Sequence, residues 1–151
     1  MRPKPDNHVS LSFPSLSSNE AFARMTVACF AAQLNPTVEE LEDVKTAVSE
    51  AVTNCIVHAY PDSAGPVHLT ARLYGNTLEL VIRDRGAGIS NISQAMTPLF
   101  TTGGEERSGM GFTIMESCMD TLRVRSAPGQ GTTITMRKQF QSVTPYEEAL
   151  Q

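Results

Sequence analysis

The chain has 151 residues, a formal net charge of −4 and a pI near 5.3. That length fits one domain. The 40% hydrophobic and 19% charged composition excludes a disordered chain, and the acidic balance gives no electrostatic reason for nucleic-acid binding. No stretch of about 18 apolar residues occurs, and the N-terminus lacks an apolar h-region, so the expectation is a cytoplasmic protein without a membrane segment.

His8 to Phe13 alternates, with Val9, Leu11 and Phe13 on one side, and reads as a first strand. Ser17 and Glu20 are spaced as a capping box for a helix running to about Leu34, with Phe22, Met25, Cys29 and Ala32 inward. Glu20 and Arg24 are spaced for an exposed ion pair on that helix. A second capping box, Thr37 with Glu40, opens a longer helix that no Gly or Pro interrupts before Pro61. Its apolar positions are Leu41, Val44, Val48, Ala51, Val52, Cys55, Ile56 and Ala59. Val67, Leu69, Ala71 and Leu73 alternate through a strand, Gly75-Asn76 makes a hairpin turn, and Leu78, Leu80 and Ile82 alternate through its partner.

The periodicity then stops. From Asp84 to Gly111 the chain is rich in Gly, Ser and Thr, and loops of that length are functional or disordered. A helix resumes near Met110 and runs to about Cys118. Leu122 and Val124 mark a strand, residues 128–131 a turn, and Ile134 and Met136 a last strand. The order predicts an α/β two-layer sandwich: a mixed, mostly antiparallel sheet with helices on one face. Residues 1–140 form one domain and 141–151 a polar tail. The three cysteines (Cys29, Cys55, Cys118) have no CxxC or His pairing and are expected as buried small hydrophobes.

Four features carry chemistry. Glu50 and Asn54 stack on one face of the long helix, at the border of its apolar stripe, and His58 continues the row. An Asn oxygen can ligate Mg2+, and a carboxylate one turn away can act as a general base; a solvated polar pair explains them equally. Asp84-Arg85-Gly86-Ala87-Gly88 follows a strand, where a carboxylate can accept from an amine and glycines allow close approach; a tight turn has the same residues. Gly109-Met110-Gly111 opens a helix and can offer N–H groups to phosphate, or serve as a flexible lead into it. Gly129-Gln130-Gly131-Thr132-Thr133 also reads as a hairpin turn. There is no GxxxxGK[ST], and the protein-kinase HRD and DFG motifs are absent.

In this order, ExxxN, DxGxG, a Gly/Thr-rich loop, GxG and GT resemble the ATP-binding fold shared by gyrase, Hsp90, histidine kinases and MutL, over about residues 44–135. The runs NEAFARMTVACFAAQLNPT, VSEAVTNCIVHAY, PLFTT and ERSGMGFTIMESCMD resemble the small bacterial anti-sigma factors that are also serine kinases. They look most like those of the sporulation sigma F type, ahead of the related kinases of the stress-response sigma factor or a non-catalytic nucleotide-dependent module. Two departures stand out: Ala59 where the family has Gly, and Gly103-Gly104 where it has Lys/Ser-Pro.

The resemblance implies ATP/ADP and Mg2+ as ligands. It places Asn54 on the metal and Asp84 on the adenine amino group. Gly86, Gly88, Thr132 and Thr133 would lie around the base, with Thr101, Gly109, Met110 and Gly111 near the phosphates. Glu50 is then the base toward the substrate serine, and Arg107 the cation that reaches the γ-phosphate. The implied partners are a sigma factor, an anti-anti-sigma factor phosphorylated on Ser, and a second copy in a homodimer. No nucleic acid or membrane is expected. Arg24 and Glu20 are the candidate partner-binding residues, and the first strand is a natural edge for pairing.

Overall fold

The computed structural model describes residues 2–92 and 110–141. Five strands form one sheet in the order β1-β2-β3-β5-β4, and every pairing is antiparallel. They are β1 (Asn7–Pro14), β2 (Pro66–Tyr74), β3 (Thr77–Asp84), β4 (Thr121–Ser126) and β5 (Thr132–Gln139). Three described helices, α1 (Ser18–Ala31), α2 (Val38–Asn54) and α3 (Gly111–Cys118), join the strands in a single core cluster. The expected two-layer sandwich is therefore present.

The alternating residues position the sheet as anticipated. Val67, Leu69, Ala71 and Leu73 on β2 and Leu78, Leu80 and Ile82 on β3 are all buried. Their tight connection needs Gly75, whose φ of +58° suits a residue without Cβ. β1 is an edge strand, in register from Asn7 opposite Leu73 to Pro14 opposite Pro66. No helix among the described residues is long and apolar enough to cross a membrane.

The helices depart from expectation in three places. First, α1 is rotated. Ala23, Val27, Ala28 and Ala31 are buried, while Phe22 is 56% and Met25 50% exposed, and Cys29 is exposed rather than buried. Small side chains on the inner face let α1 lie close to α2; Phe or Met there would force the helices apart. Second, Ser17 caps nothing with its side chain and is itself helical (φ −58°, ψ −31°). Glu20 instead accepts from Ser49 Oγ on α2. Third, the long helix is α-helical only to Asn54. The Thr37–Glu40 capping box is complete, at 2.9 and 3.1 Å. Cys55–Ala59 then form a π-helical turn, closed by Tyr60 N–H donating to Cys55 O at 3.2 Å. Such wide turns cluster at functional sites.

Alternation also hides a charge. Glu79 on β3 points away from Leu78 and Leu80, yet its side chain is fully buried. Arg137 donates to its Oε2 through Nε (2.9 Å) and Nη2 (2.6 Å), Arg72 to Oε1 at 3.2 Å, and Arg2 lies 3.6 Å away.

Candidate nucleotide site

The end of α2 carries two of the expected residues. Glu50 and Asn54 are both half-buried on its last turn. α3 begins directly against them: a Cβ on Gly111 would sit 3.3 Å from Asn54 Oδ1 and from Glu50 Oε2. Glycine therefore leaves the first N–H groups of α3 open beside a carboxylate and an amide. Ile114 N–H donates to Met110 O at 2.8 Å, which closes the first turn. The unsatisfied N–H groups ahead of it suit an anion.

Asp84 ends β3 and is only 5% exposed. Its Oδ1 accepts from Gly86 N–H (2.9 Å) and Thr132 N–H (3.1 Å). Its Oδ2 accepts from the thiol of Cys55 at 3.6 Å. The carboxylate is held by neutral donors and keeps acceptor capacity on Oδ2. Burial, with the Asp84 charge beside it, pushes the Cys55 thiol well up from its ordinary range, so it stays protonated and can only donate.

Three close approaches fix the loop after Asp84. A Cβ on Gly86 would collide with the carbonyl and side chain of Ala59, and one on Gly88 with the carbonyl of Ala127. Ala87 N–H donates to Ala59 O at 3.0 Å, and Gly129 N–H to Ala87 O at 2.7 Å. The methyl group of Ala59, a departure from the family pattern, is thus accommodated because residue 86 has no side chain. Across the sheet, Thr132 is buried, and its Oγ1 lies 2.7 Å from Ser126 Oγ. Strand alternation turns Thr133 to the opposite side, so Thr132 is the threonine that reaches Asp84.

The Glu20–Arg24 pair exists, at 3.5 Å. It is tied to α2 through Ser49, the neighbour of Glu50. Thr101, Arg107 and Gly109, with Gly103-Gly104, lie outside the described residues, as does the tail beyond Gln141. Sequence reasoning missed three contributors. Tyr60 Oη accepts from Arg85 N–H at 2.6 Å and donates to Pro66 O at 2.7 Å, bracing the loop. Ser126 Oγ accepts from Ile89 N–H at 2.7 Å. Cys55 faces Asp84. Only the position of Tyr60 just before Pro61 hinted at any of these.

Comparison with known proteins agrees with this geometry. Residues 13–138 match the histidine kinase-like ATPase domain family. An anti-sigma F factor of Thermoanaerobacter sp. (strain X514) is 54% identical over 133 residues, covering 87% of this chain and 93% of that one. The anti-sigma F factor of Clostridium kluyveri (strain ATCC 8527 / DSM 555 / NBRC 12016 / NCIMB 10680 / K1) is 52% identical over 140 residues, 92% of this chain and 99% of the relative. That of Shouchella clausii (strain KSM-K16) is 55% identical over 136 residues, 89% and 93%. Among solved structures, the RsbU and RsbW domains of Rv1364c from Mycobacterium tuberculosis align with a TM-score of 0.65 at 19% identity, over 90% of this chain and 33% of that one. That likeness shows the shared fold.

Proposed function

Because the chain belongs to the histidine kinase-like ATPase domain family and, within it, to the anti-sigma F factors, we propose that it restrains a sporulation-type sigma factor and uses Mg-ATP to phosphorylate a serine of the antagonist. One observation carries the catalytic half. Gly111 brings the start of α3 against Glu50 and Asn54, with room for nothing larger than hydrogen at its Cα. A base, an amide ligand and a phosphate-binding helix start thereby share one place.

In this reading Asp84 accepts a hydrogen bond from the adenine amino group, and Gly86, Gly88 and Thr132 shape the surroundings of the base. The N–H groups near Met110 and Gly111 hold phosphate oxygens, with Gly109, Thr101 and Arg107 completing the phosphate side. Asn54 would hold Mg2+, which neutralises phosphate charge when bound. Phosphoryl transfer depends mainly on positioning and electrostatics. Glu50 orients the antagonist's serine hydroxyl and takes its proton as the serine oxygen bonds to the γ-phosphorus and the bond to the ADP oxygen breaks. Replacing Glu50 by Gln keeps the size and removes the basicity. Phosphoserine formation should fall by roughly 10²–10⁴-fold, while ATP and the sigma factor still bind. A Glu50→Gln protein that phosphorylates at the wild-type rate would remove Glu50 from the mechanism.

Protein partners need a surface outside the pocket. The outward face of α1 offers Phe22 and Met25 beside Arg24 and Glu20, and such an apolar patch rimmed by charge suits a protein interface. Through Ser49 this face adjoins Glu50. Arg24→Glu should weaken sigma-factor binding at least tenfold and leave the Kd for ATP unchanged; unaltered sigma binding places the docking face elsewhere. The edge of β1 is where a second copy would pair in a homodimer, which sedimentation at rising concentration tests.

A further inference from the structure

We propose that Cys55 is a positioning residue for the base, sharpening the choice of adenine over purines that carry an oxygen at position 6. The inference rests on the reading of Asp84 as the acceptor for adenine, and concerns what holds that acceptor in place.

A carboxylate has about four acceptor directions. Two belong to Asp84 Oδ1 and are taken by Gly86 N–H and Thr132 N–H. Those two peptide donors anchor one oxygen, but the terminal torsion of an Asp side chain is broad, so the other oxygen can still swing. The Cys55 thiol is the third point, donating to Oδ2 at 3.6 Å. Three donors define the carboxylate plane, and one direction on Oδ2 is left for a ligand. Cys55 is 1% exposed and opens the π-helical turn, a rigid element rather than a loop.

The chemistry of selection follows. A fixed acceptor meets the 6-amino group of adenine as a donor. It meets the 6-oxo group of hypoxanthine or guanine as a second acceptor, which leaves a buried polar pair unsatisfied. A carboxylate free to pivot can turn Oδ2 aside and admit a bridging water, and much of that penalty disappears. The thiol therefore matters more for rejecting the wrong base than for holding the right one. A buried Cys that only fills space would affect both bases alike.

The test compares Kd values for Mg-ATP and Mg-ITP, the 6-oxo analogue, in the full-length wild type, Cys55→Ala and Cys55→Ser. The Cys55→Ala change should narrow the ATP-over-ITP preference about fivefold, chiefly through tighter ITP binding. Cys55→Ser, which restores a donor, should recover at least half of the lost preference on a logarithmic scale. Should Cys55→Ala fail to fold, Cys55→Val fills the volume without a donor and should give the same narrowing. The S–H stretching band of Cys55, absent from Cys55→Ala, should shift when ATP binds and stay in place with ITP. An unchanged preference in Cys55→Ala or Cys55→Val, or equal weakening of both nucleotides, overturns the proposal. Asp84→Asn separates the two levels: if it leaves the preference intact, the assignment of Asp84 fails, and the role of Cys55 with it.

Discussion

Asp84 and Glu79 are buried carboxylates five positions apart on one strand, and they are satisfied in opposite ways. Glu79 is surrounded by three guanidinium groups, with two of its bonds from Arg137 alone. Asp84 is held by two peptide N–H groups and a thiol. Cations neutralise a carboxylate and leave little for a ligand to gain. Neutral donors hold it in shape while its charge stays available. Burial alone therefore does not mark a functional acid; the kind of donor does. Glu79 ties together β2, β3, β5 and the N-terminal segment, whereas Asp84 is arranged to receive something.

The comparison can be broken in three ways. The largest effect belongs to Asp84→Asn. The amide oxygen can keep both peptide donors, which turns Nδ2 toward the ligand position and presents a donor to the adenine amine. ATP affinity should fall by about 10²-fold, read by calorimetry, while the protein still melts cooperatively. A fold lost along with the affinity would make Asp84 structural, like Glu79. Next comes Arg137→Ala, which leaves Glu79 buried with weaker partners. It should cost about 2 kcal/mol in urea unfolding, with the Kd for ATP unchanged. The smallest effect is expected from Glu79→Leu. Its arginines are 30–71% exposed along their side chains and can turn to water, so removing the acid should alter stability by less than about 1 kcal/mol. If Glu79→Leu costs more than Arg137→Ala, the cluster is a net source of stability and the contrast drawn here is wrong.

Much of this was legible in the sequence where one physical signal dominated. The β2–β3 hairpin followed from strict alternation and a Gly-Asn turn, and the start of α2 from its capping box. The face of α1 was not legible. Its apolar residues run all the way round, and the large ones suggest a core that the small ones actually form. Glu79 was hidden for a related reason: at an outward position in an alternating strand, Glu reads as solvated, and only strand pairing brings Arg72 and Arg137 opposite it. At the site, Glu50, Asn54 and Asp84 came from spacing and resemblance. Cys55 did not, because its partner is 29 residues away and its neighbours gave it a place in an apolar stripe. Nor could periodicity foretell a turn that widens after Asn54.

That wide turn has a consequence for how the chain tolerates length changes. A π-helical turn is one residue more than an α-helix needs, so it behaves as an insertion already built into the fold. Removing any one residue of Cys55–Ala59 would restore α-helical geometry and rotate everything downstream by about 100° relative to α2. Tyr60 would lose Arg85 and Pro66, and Ala59 would lose Ala87. Asn54, on the near side of the turn, would hardly move. A single deletion here would thus uncouple the metal-ligand end of the pocket from its base end. In this chain, five residues of helix are less tolerant of shortening than a hairpin loop of the same size.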